Sequence, residues 1–132
     1  MKVSKGIDGK LDIAWSKLVK LKAGNRCEIK LCGRTKNLNS HHIFTRRNKA
    51  VRWDPMNGVA LCPSHHTLDS KFSAHATPIT FTNWLVREKG QNFVDLLTIK
   101  SNQISKLHIF EKEILLTELQ KEIAEYESRI II

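Results

Sequence analysis

The chain has 132 residues and a formal net charge of +9 at pH 7, with 22 Lys and Arg against 13 Asp and Glu. This length supports one hydrophobic core and little more. The three cysteines cannot all pair in disulfides, and the lysine-rich start holds no apolar signal segment. No stretch approaches the roughly 20 consecutive apolar residues of a membrane span. We therefore expect a cytoplasmic protein with no membrane partner.

The positive charge is concentrated in the first part of the chain. Residues 1–53 hold 14 Lys and Arg against 3 Asp and Glu, a net charge of +11, whereas residues 54–132 hold 8 against 10, a net charge of −2. Such a basic surface attracts polyanions, and sequence-independent DNA affinities of this kind are typically about 10⁻⁴ to 10⁻⁶ M. The alternative is a solvated surface that only keeps the protein soluble.

The chain begins with a segment that shows no hydrophobic periodicity. Residues 1–10 mix Lys, Gly, Ser and Asp, which predicts a flexible basic arm. From Asp12 the apolar residues recur at helical spacing, so a helix is predicted with Asp12 as its N-cap and Gly24-Asn25 as its end. Trp15 falls on the apolar face of this helix and is interpreted as a core residue.

Two close pairs of soft ligands follow the predicted helix. Cys27 and Cys32 form the first pair, and Cys62 and His65 form the second. Paired nitrogen and sulfur donors joined by a long connection are how proteins enclose a structural zinc ion tetrahedrally. The alternative is that the three cysteines are buried apolar side chains, but it leaves the crowding of histidines beside Cys62 unexplained.

Two short strands are predicted around a long connection. Residues 38–44 alternate in character and contain His41 and His42, and residues 59–61 are a short apolar run. Neighbouring side chains of a strand point to opposite faces, so one of the two histidines can bind a metal ion while the other meets substrate. Asn57 is placed where a short polar side chain can fix the turn into the second strand.

The connection between the strands is basic. A guanidinium group can bind a phosphate through two hydrogen bonds, so the cations of this connection are predicted to contact phosphates next to the histidine pair. The predicted phosphate-binding residues are Arg46, Arg47, Lys49 and Arg52. Trp53, which follows them, is predicted to be a buried ring beside the zinc ion.

The second strand leads into a segment that is predicted to be helical. Pro63 suits the first turn of a helix, and His66 lies on that helix. Asp69 would share a face with His66, whereas His75 would lie on the opposite face unless the helix breaks near residues 70–73. Asp69 and His75 are therefore the two candidates for a further metal ligand near His66, and the residues alone leave both open.

The rest of the chain is predicted to be helical. A helix from Pro78 to Lys89 and a short helix around residues 93–97 would complete a domain of residues 11–100. Residues 101–132 form a separate long helix in this prediction, whose seam either meets another chain in a homodimer or folds back across the domain. The seam residues are Leu107, Phe110, Ile114, Leu116, Leu119, Ile123, Tyr126 and Ile130.

One family shows these motifs in the same order. His41-His42-Ile43, then Asn57, then the Cys62-x-x-x-His66 spacing resemble the HNH endonucleases, including phage members of that family. The resemblance covers roughly residues 12–90. His65 departs from the family pattern, since such knuckles usually carry a fourth cysteine there.

The resemblance implies a fold and a set of roles. The fold would be α+β and mostly helical, with a ββα-metal core held together by a structural Zn²⁺ ion, flanking helices and a long C-terminal helix. His42 would be the general base, and Asn57 would be the asparagine in the middle of the His-Asn-His motif. One catalytic divalent cation, either Mg²⁺, Mn²⁺, Ni²⁺ or Zn²⁺, would be bound by His41, His66 and His75.

The implied activity is metal-dependent hydrolysis of DNA, by nicking or cutting a duplex with low sequence specificity. Two alternatives come from other functional classes. One is a zinc-containing DNA-binding module without catalysis, which would have no use for His42 beside His41. The other is an oligomerising adaptor whose function lies in the C-terminal helix.

Overall fold

The computed structural model describes residues 6–130. The fold is α+β and mostly helical, as predicted, with one two-stranded antiparallel sheet. Among these residues, no helix combines the length and the apolar composition that crossing a bilayer requires. The elements are helix α1 (Ile7–Lys22), strands β1 (Asn39–His42) and β2 (Gly58–Leu61), and helices α2 (Pro78–Lys89), α3 (Gln91–Ser101) and α4 (Ile109–Ile130).

Helix α1 begins earlier than the sequence predicted. It starts at Ile7, so residues 7–10 of the predicted flexible arm are helical, and residues 1–5 lie outside the described part of the chain. Asp12 is not an N-cap, because its carboxylate accepts hydrogen bonds from side chains of the connection between the strands. The helix ends as predicted, since Gly24 and Asn25 both take positive φ angles of 72° and 55°.

The sheet pairs the two predicted strands. His41 lies opposite Val59, and His42 lies opposite Gly58. A Cβ atom on Gly58 would lie 2.3 Å from a methyl group of Val19, so this glycine lets helix α1 pack directly on the sheet. Strand β1 is shorter than the predicted 38–44, because the alternating segment leaves the ladder after His42, whereas β2 begins one residue before the predicted 59–61.

Two clusters of buried side chains lie on either side of the sheet. The first joins α1 to α4 and contains Trp15, Leu18, Leu119 and Ile123. The second contains Cys27 and Cys62, and it packs against the apolar face of α2. Trp53 belongs to the first cluster, so the prediction that its ring lies beside the zinc ligands is wrong; Trp84 occupies that position instead.

The predicted helix after β2 is only a short π-helix, Ser64–Leu68. The Asp69 carboxylate accepts hydrogen bonds from the backbone N–H groups of Lys71 and Phe72, which turns the chain away from the helical path. The next helix, α2, starts only at Pro78, and Gly90 with φ 91° separates it from α3. The segment 69–77 therefore folds back over the π-helix.

Helix α4 folds back along α1, which is one of the two arrangements left open by the sequence. Leu119 and Ile123 are buried against α1, whereas Phe110 and Ile114 are 60% and 55% exposed. The predicted seam required both residues to lie on the buried stripe of α4, and they do not. The helix starts at Ile109 and not near residue 101, because α3 runs to Ser101 and a non-helical connection follows. Association of two chains through α4 stays a prediction.

Candidate functional site

The three cysteines and His65 come together as one group. Their ligand atoms all lie within 4.8 Å of one another. The Sγ atoms of Cys32 and Cys62 are 3.8 Å apart, and Nδ1 of His65 lies 3.5 Å from Sγ of Cys27. A tetrahedral zinc ion with Zn–S bonds of about 2.3 Å and Zn–N bonds of about 2.0 Å would separate such atoms by about 3.8 Å and about 3.5 Å. The group therefore has the chemistry and the spacing to hold a metal ion such as zinc.

The thiols of this group differ in acidity in the metal-free chain. Burial raises the pKa of Cys27 to about 11. Burial also acts to raise the pKa of Cys62, but hydrogen bonds from the backbone of His65 and from the neighbouring thiols outweigh it and lower that pKa. Because zinc binds thiolates, Cys62 is better prepared than Cys27 to bind a metal ion.

Glu28 ties the first cysteine pair to the sheet. One of its carboxylate oxygens accepts a hydrogen bond of 2.6 Å from the backbone N–H of Ala60, and the other accepts one of 2.8 Å from Lys89 at the end of α2. The backbone N–H of Glu28 donates to the carbonyl of Ala60 in return. The wide first pair is thus anchored to β2 independently of any ion.

A second group consists of His41, His66 and His75. Their ligand atoms also lie within 4.8 Å of one another, and the two Nε2 atoms of His66 and His75 are 3.1 Å apart. His75 reaches the group because segment 69–77 folds back, so its backbone N–H bonds to the carbonyl of His66. Of the two residues that the sequence left open, the structure brings His75 to the group, whereas the Asp69 carboxylate is engaged in its own turn.

The environment of His41 favours a neutral ring. Burial lowers its pKa to about 3, and the neighbouring rings of His66, His75 and His42 act in the same direction. Burial and His75 also lower the pKa of His66. A neutral imidazole is the form that binds metal ions, so this group is suited to hold a divalent cation at neutral pH.

The two groups are joined by a single peptide bond. His65 belongs to the cysteine group, and His66 belongs to the histidine group. The backbone N–H groups of Ala74 and His75 donate to the carbonyls of His65 and His66 at 2.8 and 3.0 Å. The position of one group therefore fixes the position of the other.

His42 stands beside the histidine group and is held on two sides. Its Nε2 atom lies 3.0 Å from the carbonyl oxygen of Arg52. Its ring stacks on Trp15, with ring centroids 3.8 Å apart and an interplanar angle of 10°. A carbonyl only accepts hydrogen bonds, so Nε2 carries the proton and Nδ1 holds a free lone pair. Nδ1 has no hydrogen-bond partner among residues 6–129.

His42 and the three-histidine group line one cavity of about 590 Å³. One wall is polar, with His41, His42, His66 and His75. The other wall is largely apolar and comes from the end of β1 and from helices α2 and α3. Burial lowers the pKa of His42, while the Arg52 carbonyl and Asp12 oppose that shift.

Asn57 fixes the chain just after His42. Its side chain is fully buried; its Oδ1 accepts a hydrogen bond of 2.7 Å from the backbone N–H of Phe44, and its Nδ2 donates one of 2.9 Å to the carbonyl of the same residue. The sequence predicted that this side chain fixes the turn into β2, whereas both of its hydrogen bonds go to the backbone of Phe44, after β1.

The predicted phosphate-binding cations divide into two kinds. Arg52 points inward, with a side chain that is 15% exposed and hydrogen bonds of 3.1 and 2.8 Å to the Asp12 carboxylate. Arg46 is 62% exposed and lines the cavity, although it also bonds to Asp12. Arg47 and Lys49 are exposed and form no ion pair within residues 6–129. Asp12 balances the charge of Arg52 and accepts from two of its five N–H donors, so a direct contact of Arg52 with phosphate stays a prediction.

Sequence reasoning missed two residues that support His42. Asp12 accepts hydrogen bonds from Arg52 and Trp53, and these bonds, with charge attraction from the arginines, lower the pKa of its carboxyl although burial acts to raise it. Trp15 was interpreted as core alone, yet it also stacks on His42 and donates a hydrogen bond of 2.8 Å to the carbonyl of Asp54. The only signal was their three-residue spacing, which places both on one face of α1.

Comparison of the chain with protein-family models, with curated proteins and with solved structures found no match.

Proposed function

We propose that the chain is a metal-dependent endonuclease of the HNH type that hydrolyses phosphodiester bonds in DNA. The observation that carries the proposal is the imidazole of His42. Its Nε2 proton is committed to the Arg52 carbonyl, and its free Nδ1 belongs to a side chain that lines the same cavity as a three-histidine metal-binding group. A metal site with an adjacent unprotonated base is the arrangement that phosphodiester hydrolysis requires.

In this proposal His42 is the general base. Nδ1 accepts a proton from the water molecule that attacks phosphorus, and the imidazolium ion that forms keeps its Nε2–H bond to the Arg52 carbonyl. The indole face of Trp15 stabilises the new positive charge by a cation–π interaction. Positioned bases of this kind contribute roughly 10² to 10⁴ in rate.

His41, His66 and His75 would hold the catalytic divalent cation. When bound, such an ion supplies a Lewis acid for the charge that develops on phosphate oxygens. Because burial keeps the His41 ring neutral, this ligand needs no proton loss before binding. An all-nitrogen set suits Zn²⁺ and Ni²⁺ more than Mg²⁺, which prefers oxygen ligands.

The cysteine group has a structural role in this proposal. Cys27, Cys32, Cys62 and His65 provide four donors, which closes a tetrahedral shell and leaves no position for substrate. Since the next residue, His66, belongs to the histidine group, a zinc ion here positions a ligand of the other site.

DNA is the proposed substrate because cations of the basic connection lie at the cavity and next to it in the chain. Arg46 lines it, and Arg47 and Lys49 extend from the adjoining connection. These exposed cations can bind phosphates on either side of the scissile bond. An apolar wall beside the histidines suits sugars and bases.

The proposal is tested with supercoiled plasmid and added Mg²⁺, Mn²⁺, Ni²⁺ or Zn²⁺. Wild-type protein is expected to produce nicked circles, and His42→Ala is expected to lower the rate by about 10² to 10⁴ while zinc content and circular dichroism stay unchanged. Asn39→Ala, an exposed residue on the same strand, is the control and is expected to cleave like wild type.

Two results would contradict the proposal. Full cleavage by His42→Ala would reject this residue as the base. Plasmid that is shifted but intact with wild-type protein in every metal would instead identify a zinc-containing DNA-binding module.

A further inference from the structure

A second, smaller cavity lies between the basic connection and the start of α4. Its volume is about 260 Å³. Four of its nine lining residues are Lys or Arg, and one is acidic. The lining residues are Asp8, Lys49, Arg52, Trp53, Ser105, Lys106, Leu107, His108 and Lys112.

The positive charge in this cavity is not fully neutralised. Lys112 pairs with Asp8 at 2.8 Å, and Arg52 pairs with Asp12. Lys49 and Lys106 are exposed and have no ion-pair partner within residues 6–129. Lys49 and Lys106 therefore contribute unpaired positive charge beside the cavity, partly offset by the Glu111 carboxylate next to His108, and this is a local environment for an anion.

Two of these cations come from the half of the sequence that is acidic overall. Lys106 and Lys112 lie beyond residue 53, in the part with a net charge of −2. The fold brings them beside Lys49, and the Lys112 ammonium lies 5.6 Å from the ring centroid of Trp53. The basic surface is thus larger than the sequence indicated.

The ligand would be bound by side chains and not by the helix terminus. The backbone N–H of His108 already donates to the carboxylate of Glu111 at 3.1 Å. The residues that line the cavity instead include lysines, Ser105 and His108, whose side chains can donate hydrogen bonds to phosphate oxygens.

The cavity is connected to the proposed catalytic site through one carboxylate. Asp12 accepts hydrogen bonds from Arg46, which lines the histidine cavity, and from Arg52, which lines the second cavity. The two guanidinium groups share the same oxygen, at 3.1 and 2.8 Å. They are therefore close enough for a single nucleic-acid strand to contact both cavities.

We infer that this second cavity binds a backbone phosphate of the nucleic acid, near the phosphate that is cleaved. The inference rests on the proposed function for its ligand, and it adds Lys106 and Lys112 to the contact surface. Lys49 and Lys106 form direct ionic contacts to the phosphate, and Lys112 stays paired with Asp8 at the rim.

The test is the salt dependence of DNA binding, measured by fluorescence anisotropy with a labelled duplex. All proteins are full-length and carry His42→Ala, so that cleavage does not interfere. Each lost phosphate contact lowers the slope of log K against log salt concentration by about 0.9. Lys106→Ala is expected to lower it by about 0.9 and Lys49→Ala/Lys106→Ala by about 1.8, whereas Lys106→Arg keeps the wild-type slope.

Lys121→Ala is the matched control. It removes the same charge from the exposed face of α4, and it is expected to leave the slope unchanged. Equal slope changes in Lys106→Ala and Lys121→Ala, or no change in either, would overturn the inference. The plasmid assay is independent of these slopes, so the inference and the proposed nuclease activity can fail separately.

A second arm distinguishes backbone phosphate from free phosphate. Inorganic phosphate is titrated into the ¹⁵N-labelled protein at constant ionic strength, and the amide signals of residues 105–112 are followed by NMR. Bound DNA is expected to prevent the phosphate-induced shifts. Shifts that persist with DNA bound, together with unchanged salt slopes, would assign the cavity to a free phosphorylated ligand and reject a nucleic-acid contact.

Discussion

The His42 ring is held by contacts from two distant parts of the chain. Trp15 from α1 covers one face of the ring, and the carbonyl of Arg52 accepts its Nε2 proton. Arg52 is in turn fixed by Asp12, which lies three residues before Trp15 on the same helix. One face of α1 therefore determines both the orientation and the tautomer of the proposed base.

Replacement of Trp15 tests this arrangement. Trp15→Leu removes the stacked ring, and we expect kcat for plasmid nicking to fall by about 10-fold or more, roughly 1.4 kcal/mol of transition-state stabilisation, with little change in KM. Trp15→Phe keeps an aromatic face and is expected to retain most of the rate. The His42 tautomer, observed through its ¹⁵N ring shifts, should be mixed in Trp15→Leu and pure in wild type.

The control for this prediction is a buried tryptophan that does not touch His42. Trp84 packs in the cysteine-containing cluster, so Trp84→Leu tests a general loss of core packing. Both variants should lower the melting temperature, and the rates are measured below both transitions. If Trp84→Leu and Trp15→Leu lower kcat to the same extent, Trp15 has no specific role.

At the residue scale, the sequence predicted the candidate metal ligands but not the residues that hold His42 in place. Cys27, Cys32, Cys62 and His65 were recognisable because metal ligands are paired at short spacing. The contact between Trp15 and His42 has no such local signal, since 27 positions separate the two residues. A buried tryptophan with one polar contact looks the same in sequence as a core tryptophan.

At the scale of elements, α1 packs on the sheet at the position where His42 is paired. Gly58 lies opposite His42, and a Cβ atom added to it would meet Val19 and Trp15 of α1. Its φ and ψ angles of −127° and 142° are ordinary extended backbone, so the glycine is required for space and not for conformation. A side chain here would push α1, and with it Trp15, away from His42.

Gly58→Ala is predicted to destabilise the protein. The new Cβ would lie 2.3 Å from Cγ2 of Val19 and 2.9 Å from Cζ2 of Trp15, which is too close for either atom to remain in place. We expect a loss of about 1–3 kcal/mol, as for other overpacked cores, measured by urea unfolding. Nicking activity should fall as well, because the Trp15 ring must move.

A second substitution tests the physical cause. Val19→Ala removes the methyl groups that meet the new Cβ, so the double variant should be more stable than the sum of the two single changes predicts. An interaction energy of about 0.5–3 kcal/mol is typical of residues in direct contact. Strictly additive losses would show that the Gly58 variant is destabilised for another reason.

The sequence predicted which helices and strands form better than it predicted the residues at which they begin and end. Both strands and helix α2 were found near their predicted positions, because hydrophobic alternation and Pro or Gly boundaries are local signals. The start of α1 was missed because Asp12 resembles an N-cap, whereas tertiary contacts use its carboxylate. The helix expected after Cys62 was too long, because the capacity of Asp69 to form a turn was not recognised.

At the scale of the whole molecule, two buried clusters meet at a two-stranded sheet. The α1–α4 cluster is built mainly from apolar side chains. The sequence could not distinguish packing of α4 along α1 from a dimer, because both arrangements use the same apolar stripe of α4. The second cluster contains Cys27 and Cys62 and is covered mainly by α2. Since a chain of this size buries only a small core, we expect the second cluster to depend on a metal ion bound by its cysteines and His65.

Loss of the cysteine group is therefore predicted to unfold more than the metal site. Zinc binding in small modules contributes about 10–16 kcal/mol at neutral pH, which matches or exceeds the 5–15 kcal/mol typical of whole domains. Cys62→Ser is expected to lose the zinc ion and to melt without a cooperative transition. The histidine group should lose metal affinity at the same time, because His66 follows His65 directly and both are bonded to segment 69–77.

Metal content and thermal circular dichroism measure these effects together. Ser64→Ala, which changes a neighbouring residue on the π-helix that is not a ligand, should keep the zinc ion and a cooperative transition. A Cys62→Ser protein that contains no zinc yet keeps a native spectrum and melting temperature would show that apolar packing alone holds the second cluster. Retained binding of Ni²⁺ by its histidines would show, in addition, that the two metal groups are independent despite the peptide bond that joins them.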